Sequence, residues 1–188
     1  MTDSKHTHPP HRPLPGDLGA AEDLARMLRV DHAGEYGAVR IYEGQLVVLG
    51  RSRAGEVIGK MAAQERKHLE TFDRLLPEHR VRPTALAPLW HVAGFALGAA
   101  TALLGERAAM ACTVAVEEVI DAHYAEQTAR LGPDNSALKA TLEEFRRDEI
   151  AHRDEGLAHG ATETPGYALL SAAIKTGSRL AIWLSTRL

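Results

Sequence analysis

Apolar residues recur at three- and four-residue intervals through most of this chain, in runs broken by glycine and proline, and the pattern predicts an all-α protein. The first run extends from about Asp17 to Leu49, with Leu24, Leu28, Ala38, Val39, Tyr42 and Leu46 in its stripe and Gly50 as its stop. The second covers Gly55 to Leu76 and carries Ile58, Met61, Ala62, Leu69, Phe72 and Leu76; it is expected to end at Pro77. A third stretch, Leu86 to Leu104, holds 19 residues without a formal charge. The fourth helix, Glu106 to Leu131, closes at Gly132-Pro133, and Asp134 or Asn135 is placed to cap the fifth. After Gly160, Thr164-Pro165 reads as the cap and first position of a last helix, Tyr167 to Leu188.

Charged residues interrupt these stripes in a repeated way. Glu149 and His152 are three residues apart, so they share a helix face and can reach one metal ion. The same Glu-x-x-His spacing occurs at Glu65 and His68, inside the apolar stripe of the second helix. Each copy has a lone glutamate upstream, Glu35 by 30 residues and Glu117 by 32. Glu35 shares its helix face with Asp31, Val39, Leu28 and Tyr42, mostly apolar, where a carboxylate is costly unless it is paired, protonated or bound to metal; a surface glutamate on a helix whose stripe lies elsewhere is the alternative. Glu117 and Glu118 are adjacent and only one can point inward; position 117 fits the stripe that contains Tyr124, with Glu118 as the alternative. One Glu from each of two helices plus Glu-x-x-His from each of two others is the inward-facing set of the ferritin-like di-iron bundles. Asp148, four residues before His152, is placed to accept its imidazole N–H, and Gln64 holds the equivalent place before His68.

Composition narrows the class. With 188 residues the chain can bury a sizeable core, and a formal net charge of −3 gives no electrostatic case for nucleic acid. Cys112 is the only cysteine, so no intrachain disulfide forms, and no secretory signal is evident; the expectation is an intracellular protein. Residues 1–16, with His6, His8, His11 and four prolines, are expected to be a disordered tail, and 17–188 a ferritin-like domain. Leu86–Leu104 is long enough by count to span a bilayer, but it lies between the two halves of the ligand set. A single crossing would part those halves by roughly 30 Å, so the segment is expected to lie in the interface or to re-enter, with a buried helix as the plainer alternative. Lys175, Arg179, Arg187 and Trp183 make the last helix a second candidate for membrane contact, with packing against the bundle an equally simple account of its pattern. The expected fold is thus a four-helix bundle with additional apolar and amphipathic membrane-associating helices.

Four carboxylates and two imidazoles, with no thiolate, suit iron or manganese rather than structural zinc or an iron–sulfur cluster. Four glutamates also balance the charge of two divalent ions, and such a carboxylate-bridged ferrous pair can reduce O2 by two electrons. Beyond the ligand spacing, Asp31-His32-Ala33-Gly34-Glu35-Tyr36-Gly37-Ala38, Pro88-Leu89-Trp90, Gly94-Phe95-Ala96-Leu97-Gly98-Ala99 and Ala111-Cys112-Thr113-Val114-Ala115-Val116-Glu117-Glu118 resemble the demethoxyubiquinone hydroxylases of ubiquinone biosynthesis. The resemblance covers nearly everything from Asp23 to Leu188. It implies a peripheral-membrane di-iron monooxygenase that hydroxylates the ring of a polyprenylated methoxy-methyl benzoquinol with O2 and an electron donor. It puts the ligands of two iron ions per chain on Glu35, Glu65, His68, Glu117, Glu149 and His152, and so favours Glu117 over Glu118. The implied setting is the cytoplasmic face of a bacterial inner membrane, with ubiquinone-biosynthesis proteins or a second copy of the chain as candidate partners. Tyr36, His123 and Tyr124, each within two turns of a ligand, are candidates to orient the quinol or relay protons. An iron-storage protein would share the ligand set but would have no use for the uncharged segment.

Overall fold

The computed structural model describes residues 18–188. The tail expected over 1–16 lies outside them. Six α-helices follow in order: α1 Ala20–Leu49, α2 Arg53–Glu78, α3 Ala87–Leu103, α4 Glu106–Arg130, α5 Ser136–Ala158 and α6 Tyr167–Ser185. Short 3-10 turns precede α5 and α6, and no strand occurs among the described residues. The all-α class is therefore as the periodicity required.

One boundary differs from expectation, and one cap takes its expected place at Asn135 without the expected side-chain bond. Pro77 does not end α2 but sits in its last turn, which continues to Glu78. A proline there gives up one N–H, while the carbonyls at the helix end still receive the N–H groups of His79, Arg80 and Val81. Neither Asp134 nor Asn135 caps α5 through its side chain; both lie in a 3-10 turn, Pro133–Asn135, that leads into the helix. Ser52, by contrast, does cap α2, accepting from the Gly55 N–H at 3.1 Å.

α1, α2, α4 and α5 form the bundle, α1 packing on α2 and α4 on α5. Towards one end, Leu28, Phe72, Leu76, Leu142 and Phe145 fill the interior, and towards the other Ile58, Met61, Met110 and Val114. Each such side chain, fully withdrawn from water, contributes about 1.5–3 kcal/mol.

α3 lies alongside α1, neither free nor buried across the bundle. Glycines allow the approach: a Cβ on Gly98 would stand 1.9 Å from the Ile41 carbonyl oxygen, and one on Gly44 would stand 2.1 Å from that of Phe95. Gly94 meets Gly37 one turn earlier, so the two helices run side by side in the same direction. The opposite face of α3 leaves Leu89, Val92 and Leu103 exposed. α6 packs on α4 in a comparable way and exposes Leu169, Leu180 and Trp183, with Arg187 stacked over the Trp183 ring at 4.1 Å. Lys175 is not free to meet a membrane, because it pairs with Glu118 of α4. α3 and α6 are tied together by the Trp90 indole N–H donating to Ser185 Oγ at 2.9 Å and by the Ala85 N–H donating to the Leu188 carbonyl. No helix among the described residues is long and apolar enough to cross a membrane.

Candidate metal centre

The bundle brings Glu35, Glu65, His68, Glu117, Glu149 and His152 to one place in its interior, every one of them buried. Their donor atoms fall into two groups, each with all atoms within 4.8 Å of one another. Glu35, Glu65, His68 and Glu149 make one; Glu65, Glu117, Glu149 and His152 make the other. Glu65 and Glu149 belong to both, so two ions held here would share them. Glu118, facing outward towards Lys175, belongs to neither.

The hydrogen-bond state of these atoms tests the fit. Glu35 and Glu117 each have one oxygen occupied: the Tyr124 hydroxyl donates to Glu35 Oε1, and the Tyr42 hydroxyl donates to Glu117 Oε1 at 2.6 Å. Their other oxygens, both oxygens of Glu65 and Glu149, and Nδ1 of both histidines are buried with no well-formed hydrogen bond, although they crowd one another, His152 Nδ1 lying 2.9 Å from Glu65 Oε1 and His68 Nδ1 3.3 Å from Glu149 Oε1. Buried acceptors left without a partner cost roughly 1–3 kcal/mol each, and more when charged. Eight of them converging on one point is the arrangement that cations satisfy. The donor set of oxygen and imidazole nitrogen without sulfur fits iron or manganese.

The electrostatics agree. Burial, and then the other carboxylates, raise Glu65 and Glu117 well above the ordinary carboxyl value, and burial raises Glu149 as well. Burial by itself would lower His68, yet the carboxylates of Glu149 and Glu35 bring it up to about 11. Burial wins at His152, which is lowered. Without metal, the cluster gathers protons in place of cations.

The imidazoles are oriented from across the bundle. His68 Nε2 lies 3.0 Å from Asp148 Oδ2, and His152 Nε2 lies 3.2 Å from Gln64 Oε1. Sequence spacing pairs Asp148 with His152 and Gln64 with His68, so the partners are exchanged. A histidine that aims Nδ1 at the centre turns Nε2 towards the facing helix, out of reach of a residue one turn back on its own. We expect Asp148→Ala to weaken metal binding to the His68 side by about 10- to 100-fold, as loss of such partners does elsewhere. Titration of the metal into the variant and the parent measures this; equal affinity would leave Asp148 without that role.

Tyr124 sits against Glu35, as described. His123 lines a cavity of about 310 Å³ next to the centre, walled by α1, α3, α4 and α6 through residues such as Gly37, Leu97, Val119 and Ile182. Tyr36 faces elsewhere. Its hydroxyl bonds His91 Nδ1 on α3 at 2.6 Å, in a separate groove with Arg40 and Glu43. Sequence reasoning passed over Tyr42, although it stands seven residues after Glu35 just as Tyr124 stands seven after Glu117. It also passed over Asp31, which is buried with Gln127 Nε2 donating to its Oδ1 at 2.7 Å and His123 Nε2 at 3.4 Å. Burial raises the Asp31 carboxyl above its ordinary value, against the opposing pull of His123 and Gln127.

Comparison with known proteins places this chain in a family. The family described as "Ubiquinone biosynthesis protein COQ7" matches residues 22–185. A Rhodospirillum rubrum protein named 3-demethoxyubiquinol 3-hydroxylase is 61% identical over 175 residues, covering 93% of this chain and 82% of its own length. The human NADPH-dependent 3-demethoxyubiquinone 3-hydroxylase, mitochondrial, is 54% identical over 167 residues, 87% of this chain and 77% of its own. The Saccharomyces cerevisiae 5-demethoxyubiquinone hydroxylase, mitochondrial, is 40% identical, covering 100% of this chain and 89% of its own. With a match that spans all six helices and the whole acidic centre, the chain belongs to the COQ7 family of ubiquinone biosynthesis proteins.

Proposed function

We propose that this protein is a di-iron monooxygenase that hydroxylates the ring of a polyprenylated methoxy-methyl benzoquinol, a demethoxyubiquinol, using O2. The observation that carries the reading is the set of eight unpartnered, buried donor atoms shared between two groups of four residues. Glu35, His68, Glu117 and His152 would each help to hold one ion of a pair, and Glu65 and Glu149, common to both groups, would help to hold either. Bound there, a ferrous pair would supply the electrons and the Lewis acidity for activating O2.

The chain's own residues do the rest. Tyr124 and Tyr42 each hold one oxygen of a terminal carboxylate, which fixes the direction of the other. The largely apolar cavity beside Tyr124 admits the substrate ring and keeps water from the centre. His123 and Tyr124 are the polar groups that orient the ring; Tyr36, turned to His91, serves the outer groove. Because α3 and α6 both wall the cavity and expose leucines outward, the polyprenyl tail runs between them towards the bilayer. The protein then sits peripherally on the inner membrane, at its cytoplasmic face. Relatives named NADPH-dependent support a nicotinamide cofactor as the source of electrons. An iron-storage reading leaves the apolar cavity and the exposed faces of α3 and α6 without a purpose.

The test is turnover by anaerobically iron-loaded protein given a demethoxyquinol and then O2. About two irons per chain with a hydroxylated quinol support the reading; O2 consumption without a hydroxylated quinol returns the protein to the ferroxidase class. For membrane contact, Val92→Glu together with Leu169→Glu should reduce recovery on anionic vesicles by about tenfold or more, since two apolar contacts are lost and two repelled charges gained. Unchanged flotation, with helicity intact, would remove α3 and α6 from the membrane.

A further inference from the structure

The two halves of the bundle repeat one another, and the places where the repeat fails are informative. Glu35, Tyr42 and Gln45 on α1 stand at the same intervals as Glu117, Tyr124 and Gln127 on α4, and the two Glu-x-x-His pairs follow on α2 and α5. The tyrosines act reciprocally, each donating to the other helix's glutamate. By the same intervals Asp31 corresponds to Thr113, and His123 corresponds to Ile41. Gln45 donates to a backbone carbonyl, that of Ala109, whereas Gln127 donates to the Asp31 carboxylate. A polar trio of Asp31, His123 and Gln127 thus exists on one side of the centre only.

That side holds the cavity. Asp31 and His123 both contribute to its wall next to Tyr124; the rest is glycine, alanine, valine, leucine and isoleucine apart from Ser178 and the Trp90–Ser185 pair, whose polar atoms bond each other. Asp31 is 2% exposed and its Oδ2 has no hydrogen-bond partner, so the trio is not a closed structural network. Gln127 Nε2 reaches both Asp31 Oδ1 at 2.7 Å and His123 Nε2 at 2.9 Å, which holds the imidazole against the carboxylate. The His123 side chain keeps 20% of its surface accessible, and it is the member of the trio able to touch a ligand.

We infer that this trio is the polar subsite that grips one ring oxygen of the aromatic substrate at the inner end of the cavity, with His123 making the contact and Asp31, through Gln127, as the positioning residue. The inference rests on the quinol-hydroxylase reading above and adds to it the means by which the ring is set in register. A buried acceptor or donor that loses its ligand partner is left unsatisfied, so such a subsite discriminates strongly against a ring that lacks the oxygen. Dispersion contacts with the rest of the cavity do not distinguish the two rings.

The test is anaerobic equilibrium binding to the iron-loaded protein of a short-prenyl methoxyphenol and of the same molecule without its phenolic oxygen. Neither probe undergoes the quinol–quinone couple. The parent protein should bind the oxygenated probe about tenfold more tightly or better, the worth of one buried hydrogen bond. Asp31→Asn and His123→Ala should each bring the ratio close to one, with the affinity for the deoxygenated probe, the iron content and the helicity kept. His123 is partly exposed, so its variant guards against a folding failure at Asp31. Equal weakening of both probes in the variants would mean that Asp31 merely supports the wall, and an unchanged ratio would mean that the ring oxygen lies elsewhere; either overturns the subsite. A parent that binds both probes equally overturns it too, while leaving the quinol reading intact. A parent that binds neither overturns the quinol reading and the subsite with it.

Discussion

Replacing Glu149 by alanine is expected to remove both metal ions and bring hydroxylation to roughly one-thousandth of the parent rate or below, because the ions supply several kcal/mol of transition-state stabilisation. The shared position of Glu149 gives this substitution its force. It belongs to both groups of four, has two unpartnered oxygens, and comes within 3.3 Å of His68 Nδ1 as well as 3.7 Å of His152 Nδ1. Glu65→Ala should behave alike. Glu35→Ala and Glu117→Ala each strip one group only, so they should keep about one ion per chain while still losing turnover. Iron analysis beside single-turnover product formation separates the two classes. Full iron content and full activity in Glu149→Ala would sink the ligand assignment.

Metal-free protein should lose thermal stability as the pH is raised from about 6 to about 8, and metal loading should abolish most of that slope. The sign follows from the cluster. Glu65, Glu117, Glu149 and His68 all hold protons more tightly in the fold than in the unfolded chain. Their contribution is complete below the ordinary values, 4.5 for the carboxyls and 6.5 for the histidine, and fades as pH climbs through the folded values, about 11 for His68. His152 is lowered, so it acts in the opposite sense, losing stability as pH falls. Four groups against one decide the direction. Loaded protein replaces the protons by cations, so metal uptake in weak buffer should release protons and make the solution more acidic. A melting temperature of metal-free protein that rises between the two pH values would contradict the picture.

The helices were legible because each buries a stripe whose period depends only on local geometry. Four of the six clustered residues were legible for the same reason: three-residue spacing puts Glu65 with His68 and Glu149 with His152 on one face whatever the helix packs against. Glu35 stood out only as a carboxylate within an apolar stripe, and Glu117 was settled over Glu118 only by the family resemblance. Pro77 misled by two residues, since the end of a helix depends on which carbonyls find donors nearby, whereas Asn135 does hold the N-cap position of α5 but without a side-chain bond. The exchange of Asp148 and Gln64 between the two histidines could not be read at all. Spacing along one helix says nothing of what the facing helix offers to Nε2.

By itself, then, the order of residues determined that the chain is helical, that two Glu-x-x-His pairs and two further glutamates face inward, and that Leu86–Leu104 cannot separate them across a bilayer. Those are consequences of periodicity and chain connectivity. Only the packing of α3 against α1 and of α6 against α4 decided where the cavity lies, and only the meeting of α1 with α4 joined Asp31 to His123 and Gln127. Such contacts depend on how closely backbones approach, which glycines such as Gly44, Gly94 and Gly98 permit but do not direct. The choice among the faces they could meet belongs to the whole fold.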